Sequence, residues 1–123
     1  MDDFAEIAKT DAHYHIYTEN QVSMEQAQND NFHLVAINTY SGGCERVVDA
    51  HNWLKKLNQE YPEKLEFTTT FCLDGWDEPG WTENTTDWID QCIADGAIAV
   101  KVWKNIGMEW RDADSNLIMI DDP

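Results

Sequence analysis

HLVAINTYSGGCERVVDAHNWLKKLNQEYPEKLEFTTTFCL, residues 33–73, contains one complete strand, helix and strand. His33 to Tyr40 is rich in Leu, Val and Ile and too short for a helix, so it reads as a buried strand. Ser41-Gly42-Gly43 breaks it. From Cys44 the period changes: Val47, Ala50, Leu54, Leu57 and Tyr61 recur at steps of 3, 4, 3 and 4, the stripe of an amphipathic helix. Pro62 ends that helix, because the residue before a proline is pushed out of helical backbone geometry. Leu65 to Leu73 combines aromatic and β-branched residues and reads as the next strand. Two strands bridged by a helix run parallel, with a right-handed crossover.

The same alternation extends outward on both sides. Residues 8–17 place Ala12, Tyr14 and Ile16 between polar residues, as in a strand ending near Thr18. Ser23-Met24-Glu25-Gln26 has the form of a capping box opening a short helix to about Asn29. Beyond residue 73, Asp74 to Gly80 reads as a loop, and Thr85 to Asp95 as a helix. That helix would set Trp88, Ile89, Cys92 and Ile93 on one side, with Gly96 as its stop. Ala97 to Trp103 (AIAVKVW) then reads as a fourth strand.

The last three strands begin near residues 33, 65 and 97, a spacing of 32. A (β/α)₈ barrel of ~250 residues uses about 30 per unit. The expected fold is therefore α/β: a partial TIM barrel of four β/α units, with strands near 8–17, 33–40, 65–73 and 97–103. The single domain over 1–123 would be cut short, since Gly107 to Pro123 carries no further helix signal. An open, doubly wound sheet of four or five strands is the competing architecture.

Eight Lys and Arg against 24 Asp and Glu give a net charge of −16. No cation falls between Lys64 and Lys101, an interval that holds Asp74, Asp77, Glu78, Glu83, Asp87, Asp90 and Asp95. This excludes a nucleic-acid groove, which needs clustered cations. At 42% hydrophobic and 11% aromatic, the chain has too much apolar material for a disordered acidic tail. No apolar run approaches the roughly 18 residues of a membrane span, and Met1-Asp2-Asp3 is unlike a secretory signal. The expectation is a cytoplasmic protein with a small-molecule substrate, no nucleic-acid partner and no membrane; oligomeric state is unreadable. Cys44, Cys72 and Cys92 form an odd set with no CxxC spacing, and are expected to be reduced, part-buried side chains.

Asp11-Ala12-His13-Tyr14-His15 is the most informative segment for chemistry. Residues i and i+2 on a strand point the same way, so both imidazoles would share a face near the strand's carboxyl end, where parallel-sheet enzymes build their sites. Two such imidazoles can hold one divalent cation, with Asp11 as an acceptor orienting one ring. The plainer alternative is two polar histidines at a strand end, binding nothing.

Asp11-x-His13-x-His15 near the start of alternating β and α units resembles the amidohydrolase superfamily. Asp95-Gly96-Ala97-Ile98-Ala99-Val100-Lys101-Val102-Trp103 is similar to the Gly-x-x-x-x-Lys strand of its amidohydrolase-related branch. The resemblance implies His13 and His15 as ligands of zinc, or alternatively manganese. It implies a metal-activated water attacking an amide, ester or lactone carbonyl. It also implies a role for Lys101 as a metal bridge, an uncharged helper or a substrate-binding cation; Lys104, on the opposite strand parity, is the reserve if the strand bulges. The family's later ligands and general base have no counterpart here, so this stretch alone is expected to be nearly inactive. A metal-dependent decarboxylase on the same fold is the near alternative, and a non-catalytic small α/β binding module the distant one.

Trp76 and Trp81 follow the third strand and Trp103 ends the fourth, so they can wall a pocket for substrate, whereas Trp53 and Trp88 on helices read as packing. His33 and His51 read as structural or exposed. Asp112-x-Asp114-x-Asn116 opens like a calcium loop, but Leu117 replaces the required glycine and Pro123 the bidentate glutamate, so it reads as a polar turn.

Overall fold

Six elements follow along the chain: β1 (Lys9–Tyr14), α1 (Val22–Asn29), β2 (Phe32–Ile37), α2 (Cys44–Glu60), β3 (Leu65–Thr68) and α3 (Trp81–Ala94). They are seen in a computed structural model that describes residues 3–17, 21–40 and 42–122. The strands form a parallel sheet in the order β1-β2-β3. Leu34 pairs with Leu65 and Ala36 with Phe67, so four buried side chains of one parity make a continuous apolar face. Met24 and Ala27 of α1, Leu54 and Leu57 of α2 and Cys92 of α3 pack into the same cluster. All three helices therefore cover one side. On the other side His33, Val35, Ile37 and Glu66 stay half-exposed, with His33 Nε2 3.3 Å from a Glu66 oxygen.

The barrel expectation is corrected. The described residues form a small α/β unit of three parallel strands and three helices, and four β/α units of a barrel are not formed. The predicted fourth strand, residues 97–103, runs beside β3 and gains backbone bonds there. Ile98 N–H donates to Phe67 O at 2.9 Å, Thr69 N–H to Ala99 O at 2.9 Å and Lys101 N–H to Thr69 O at 2.7 Å. Only one bridge results, Thr69 with Val100, because β3 ends at Thr68 and the Thr70 hydroxyl takes the Lys101 carbonyl at 2.7 Å. Ile98 and Val102 remain 54% and 37% exposed. Their apolar character gave the strand signal, yet the fold does not bury them.

The three real strands are shorter than predicted. Asn38 leaves β2 to donate its side-chain amide to the Val47 carbonyl at 3.1 Å, and Thr18, the predicted end of the first strand, lies outside the described residues, as does Ser41. The capping box does not form. α1 starts two residues earlier, with Gln21 rather than Ser23 as N-cap, and the Gln21 amide reaches Glu60 of α2 at 2.8 Å. In α2, Val47, Leu54 and Leu57 are buried as predicted, with Ala50 and Tyr61 half-buried. α3 starts at Trp81 rather than Thr85, after Gly80 at φ 89°, which removes Trp81 from the loop. Only Cys92 is fully buried on α3, and Ile93 is 52% exposed. Gly96 stops the helix at φ 107°, with Gly96 N–H on Ile93 O and Ala97 N–H on Cys92 O, both at 3.0 Å. The 112–116 segment is a polar turn whose Asp112 carboxylate accepts the Asn116 N–H at 2.8 Å; Pro123 lies outside the described residues.

The cysteines are not all reduced. Cys44 and Cys72 are joined as a disulfide, and Cys92 alone is free. A separation of 28 residues hid the pair in the sequence, and the parallel pairing of β2 with β3 brings it together. Among the described residues, no helix is long and apolar enough to cross a membrane.

A polar tie completes the core. His51, 2% exposed, packs edge-on to Phe67 and Trp88 and places Nε2 3.1 Å from Asp95, which also accepts from Lys55 at 2.7 Å and Gln91 at 3.1 Å. The Lys55 bond first, then the His51 bond, hold the Asp95 carboxyl down at about 2. Its folded value lies below the ordinary 3.8, so its contribution is present above that pH and is lost as pH falls toward about 2. Asp95→Asn should therefore flatten the fall in Tm across this acid window, and an unchanged acid limb by circular dichroism would remove Asp95 from the account. In urea unfolding, Phe67→Ala should cost about 3–5 kcal/mol. Ile98→Ala should cost less than about 1 kcal/mol, and a core-sized cost there would mean that 97–103 is a buried strand after all.

Candidate metal centre

The two imidazoles meet by a route that strand alternation does not describe. From Asp11 to Tyr14, β1 advances three residues while β2 advances two, from Leu34 to Ala36, so β1 carries a bulge. Asp11 makes this turn, because its Oδ1 accepts the His13 backbone N–H at 3.0 Å. His13 sits exposed in the bulge, and His15 is half-buried just past the strand. Their rings lie 5.0 Å apart at 64°, and Tyr17 stacks on His15 at 5.7 Å and 9°.

His13 Nε2 and His15 Nε2 are 3.1 Å apart. Zinc to imidazole bonds of about 2.0–2.1 Å, at angles between square and tetrahedral, separate the two donors by about 2.9–3.4 Å. The pair fits a shared cation, and the same spacing suits one proton shared between the rings. Among the described residues, no third His, Cys, Asp or Glu atom groups with these nitrogens; a group of three forms elsewhere, from Cys44, Cys72 and Asp74.

Asp11 holds the backbone of His13 in place of the predicted ring contact. Lys101 is not brought to the pair. β2 and β3 stand between them, and the Lys101 ammonium has no ion-pair partner among the described residues. Lys104 is exposed, its Nζ 5.7 Å from the Trp103 ring centre. Trp76 and Trp81 line a cleft of about 280 Å³ with Phe71, Val102 and Ile118, at the β3 end of the rim. Trp103 is half-exposed and does not line that cleft. The predicted aromatic wall is thus Trp76 with Trp81, away from the imidazoles.

The sequence reading missed a nearer cleft. Ile16, Tyr17, Asn38, Arg46 and Trp53 line about 330 Å³ between the end of β2 and α2. Tyr17 joins it to the imidazoles, since the same ring stacks on His15. Asn38 is 2% exposed and its Oδ1 has no hydrogen-bond partner among the described residues. The available signal was a polar residue closing the apolar run HLVAI. A larger cleft, about 520 Å³ between β1 and α1, is lined by Asp11 and Tyr14 but by neither imidazole. Size is a poorer guide here than the position of the nitrogen donors.

No protein-family model matches the chain, and no curated protein or solved structure matches it. The amidohydrolase resemblance rests on its own residues, 11–15 and 95–103.

With the disulfide intact, a zinc titration followed by histidine side-chain nitrogen spectra should move His13 and His15 at one saturation point and leave His33 and His51 in place. Asp11→Ala should weaken this binding about tenfold by loosening the turn under His13. Two rings saturating separately would dissolve the pair.

Proposed function

We propose that this chain supplies part of the metal site of a metal-dependent hydrolase, of the kind the amidohydrolase resemblance implies. The observation carrying the reading is the 3.1 Å approach of the His13 and His15 Nε2 atoms at the carboxyl end of a parallel strand. His13 and His15 would hold the cation, zinc or manganese. When bound, it supplies Lewis acidity, lowering the pKa of a water and polarising a carbonyl oxygen.

The chain's own residues supply position. Asp11 fixes the His13 backbone, and Tyr17 limits rotation of the His15 ring by stacking on it. In the adjoining cleft, the Arg46 guanidinium suits a carboxylate of a small-molecule substrate, and Asn38 Oδ1 suits a substrate N–H or O–H. Trp53 and Ile16 give that cleft apolar wall. The substrate class is an amide, ester or lactone, and the compartment is the cytoplasm. Lys101, across two strands, enters none of these roles.

The test is chelation and restoration on the protein at its natural length, assayed on amides, esters and lactones. Activity should disappear with a chelator and return with zinc or manganese, and His13→Ala should lower the restored rate at least 100-fold along with metal content. Full activity and full metal content in His13→Ala would overturn the reading.

A further inference from the structure

A second set of donors stands on the same rim. Cys44 opens α2 and Cys72 follows β3, with Cα atoms 5.2 Å apart, a separation that lets a disulfide form or open with little backbone movement. Asp74 adjoins them. Its N–H donates to Cys72 Sγ at 3.3 Å, and its carboxylate and the two sulfurs lie within 4.8 Å of one another. The Tyr40 hydroxyl donates to Asp74 Oδ1 at 2.7 Å, which aims the carboxylate and leaves Oδ2 for another partner. The N-cap of α2 is Gly43, with no side-chain acceptor, so the first-turn N–H groups favour an anion at Cys44. The three groups line a cleft of about 240 Å³ with Val47, Trp81 and Trp88.

We propose that Cys44, Cys72 and Asp74 form a thiol-gated site for a borderline divalent cation such as zinc. Two thiolates with one carboxylate suit zinc, whereas magnesium and calcium take oxygen donors. The gate is the disulfide. A dithiol reductant passes two electrons to the Cys44–Cys72 bond and is itself oxidised to a disulfide, and its two protons end on the freed thiols. Cation binding then releases both thiol protons to solvent and leaves two sulfurs and one oxygen as donors. The oxidised chain has no thiolate to offer there, so the site is open only when reduced. Cys92 stands outside this chemistry, because it is buried and burial pushes its thiol up.

Cobalt(II) titration of the 123-residue chain tests the site, once oxidised and once after reduction by a phosphine, which adds no competing thiol. The reduced chain should develop a thiolate-to-cobalt charge-transfer band that saturates at one equivalent. The oxidised chain and Cys44→Ser should lack it, while Cys92→Ser and His13→Ala keep it. Asp74→Asn should raise the cobalt dissociation constant at least tenfold. No band in the reduced chain, a band surviving Cys44→Ser, or loss in Cys92→Ser overturns the site. Loss in His13→Ala would merge it with the imidazole pair, and unchanged affinity in Asp74→Asn would strike out the carboxylate ligand. Cobalt held by imidazoles alone gives no sulfur band, so this outcome is independent of the hydrolase reading.

Discussion

Leu34 beside Leu65 and Ala36 beside Phe67 set the parallel register on which the remaining features depend. Parallel neighbours require a crossover, and successive right-handed crossovers in the order β1-β2-β3 lay every helix on the same side. That burial creates the core and also lines up the carboxyl ends of all three strands. The imidazoles after β1, Asn38 after β2 and Cys72 with Asp74 after β3 share a rim for this reason, although the sequence holds them as far apart as residues 13 and 74. A one-residue slip of β3 would turn Phe67 out of the core and carry the Cys72 loop away from Cys44.

The order of elements was legible in the sequence where apolar period and burial coincide. Val47, Leu54 and Leu57 gave α2 correctly, and the Gly96 stop is where the sequence places it. The failures have a common form. Residues 97–103 have strand composition and start beside the last residues of β3, but they outrun it, and beyond Thr68 a single bridge, Thr69 with Val100, is all that forms. Ser23 has the composition of a cap, but Gln21 found a long-range partner in Glu60 and became the N-cap. At the candidate site, residue types were readable and their arrangement was not. Side-chain parity on an ideal strand took no account of the turn that Asp11 makes with the His13 N–H. The Cys44–Cys72 contact is set by strand order, which spacing along the chain does not carry.

Charge is distributed with a similar economy. A chain of net charge −16 places Lys55 and His51 on one carboxylate, Asp95, at the seam between α2 and the end of α3. Buried apolar contacts set most of the stability, while this tie fixes how the seam closes. His51 thereby fills a core position that would otherwise call for a hydrocarbon, and its Nδ1 stays buried without a partner among the described residues.

The bulge in β1 has an effect beyond the orientation of two rings. β1 is the outer strand of the described sheet, and an outer strand with an even ladder of free N–H and C=O groups invites pairing with another chain. The extra residue between Asp11 and Tyr14 breaks the evenness of that ladder, and the His13 N–H is taken by Asp11. The local distortion that brings two nitrogen donors together thus also makes this edge a poor template for intermolecular strand addition.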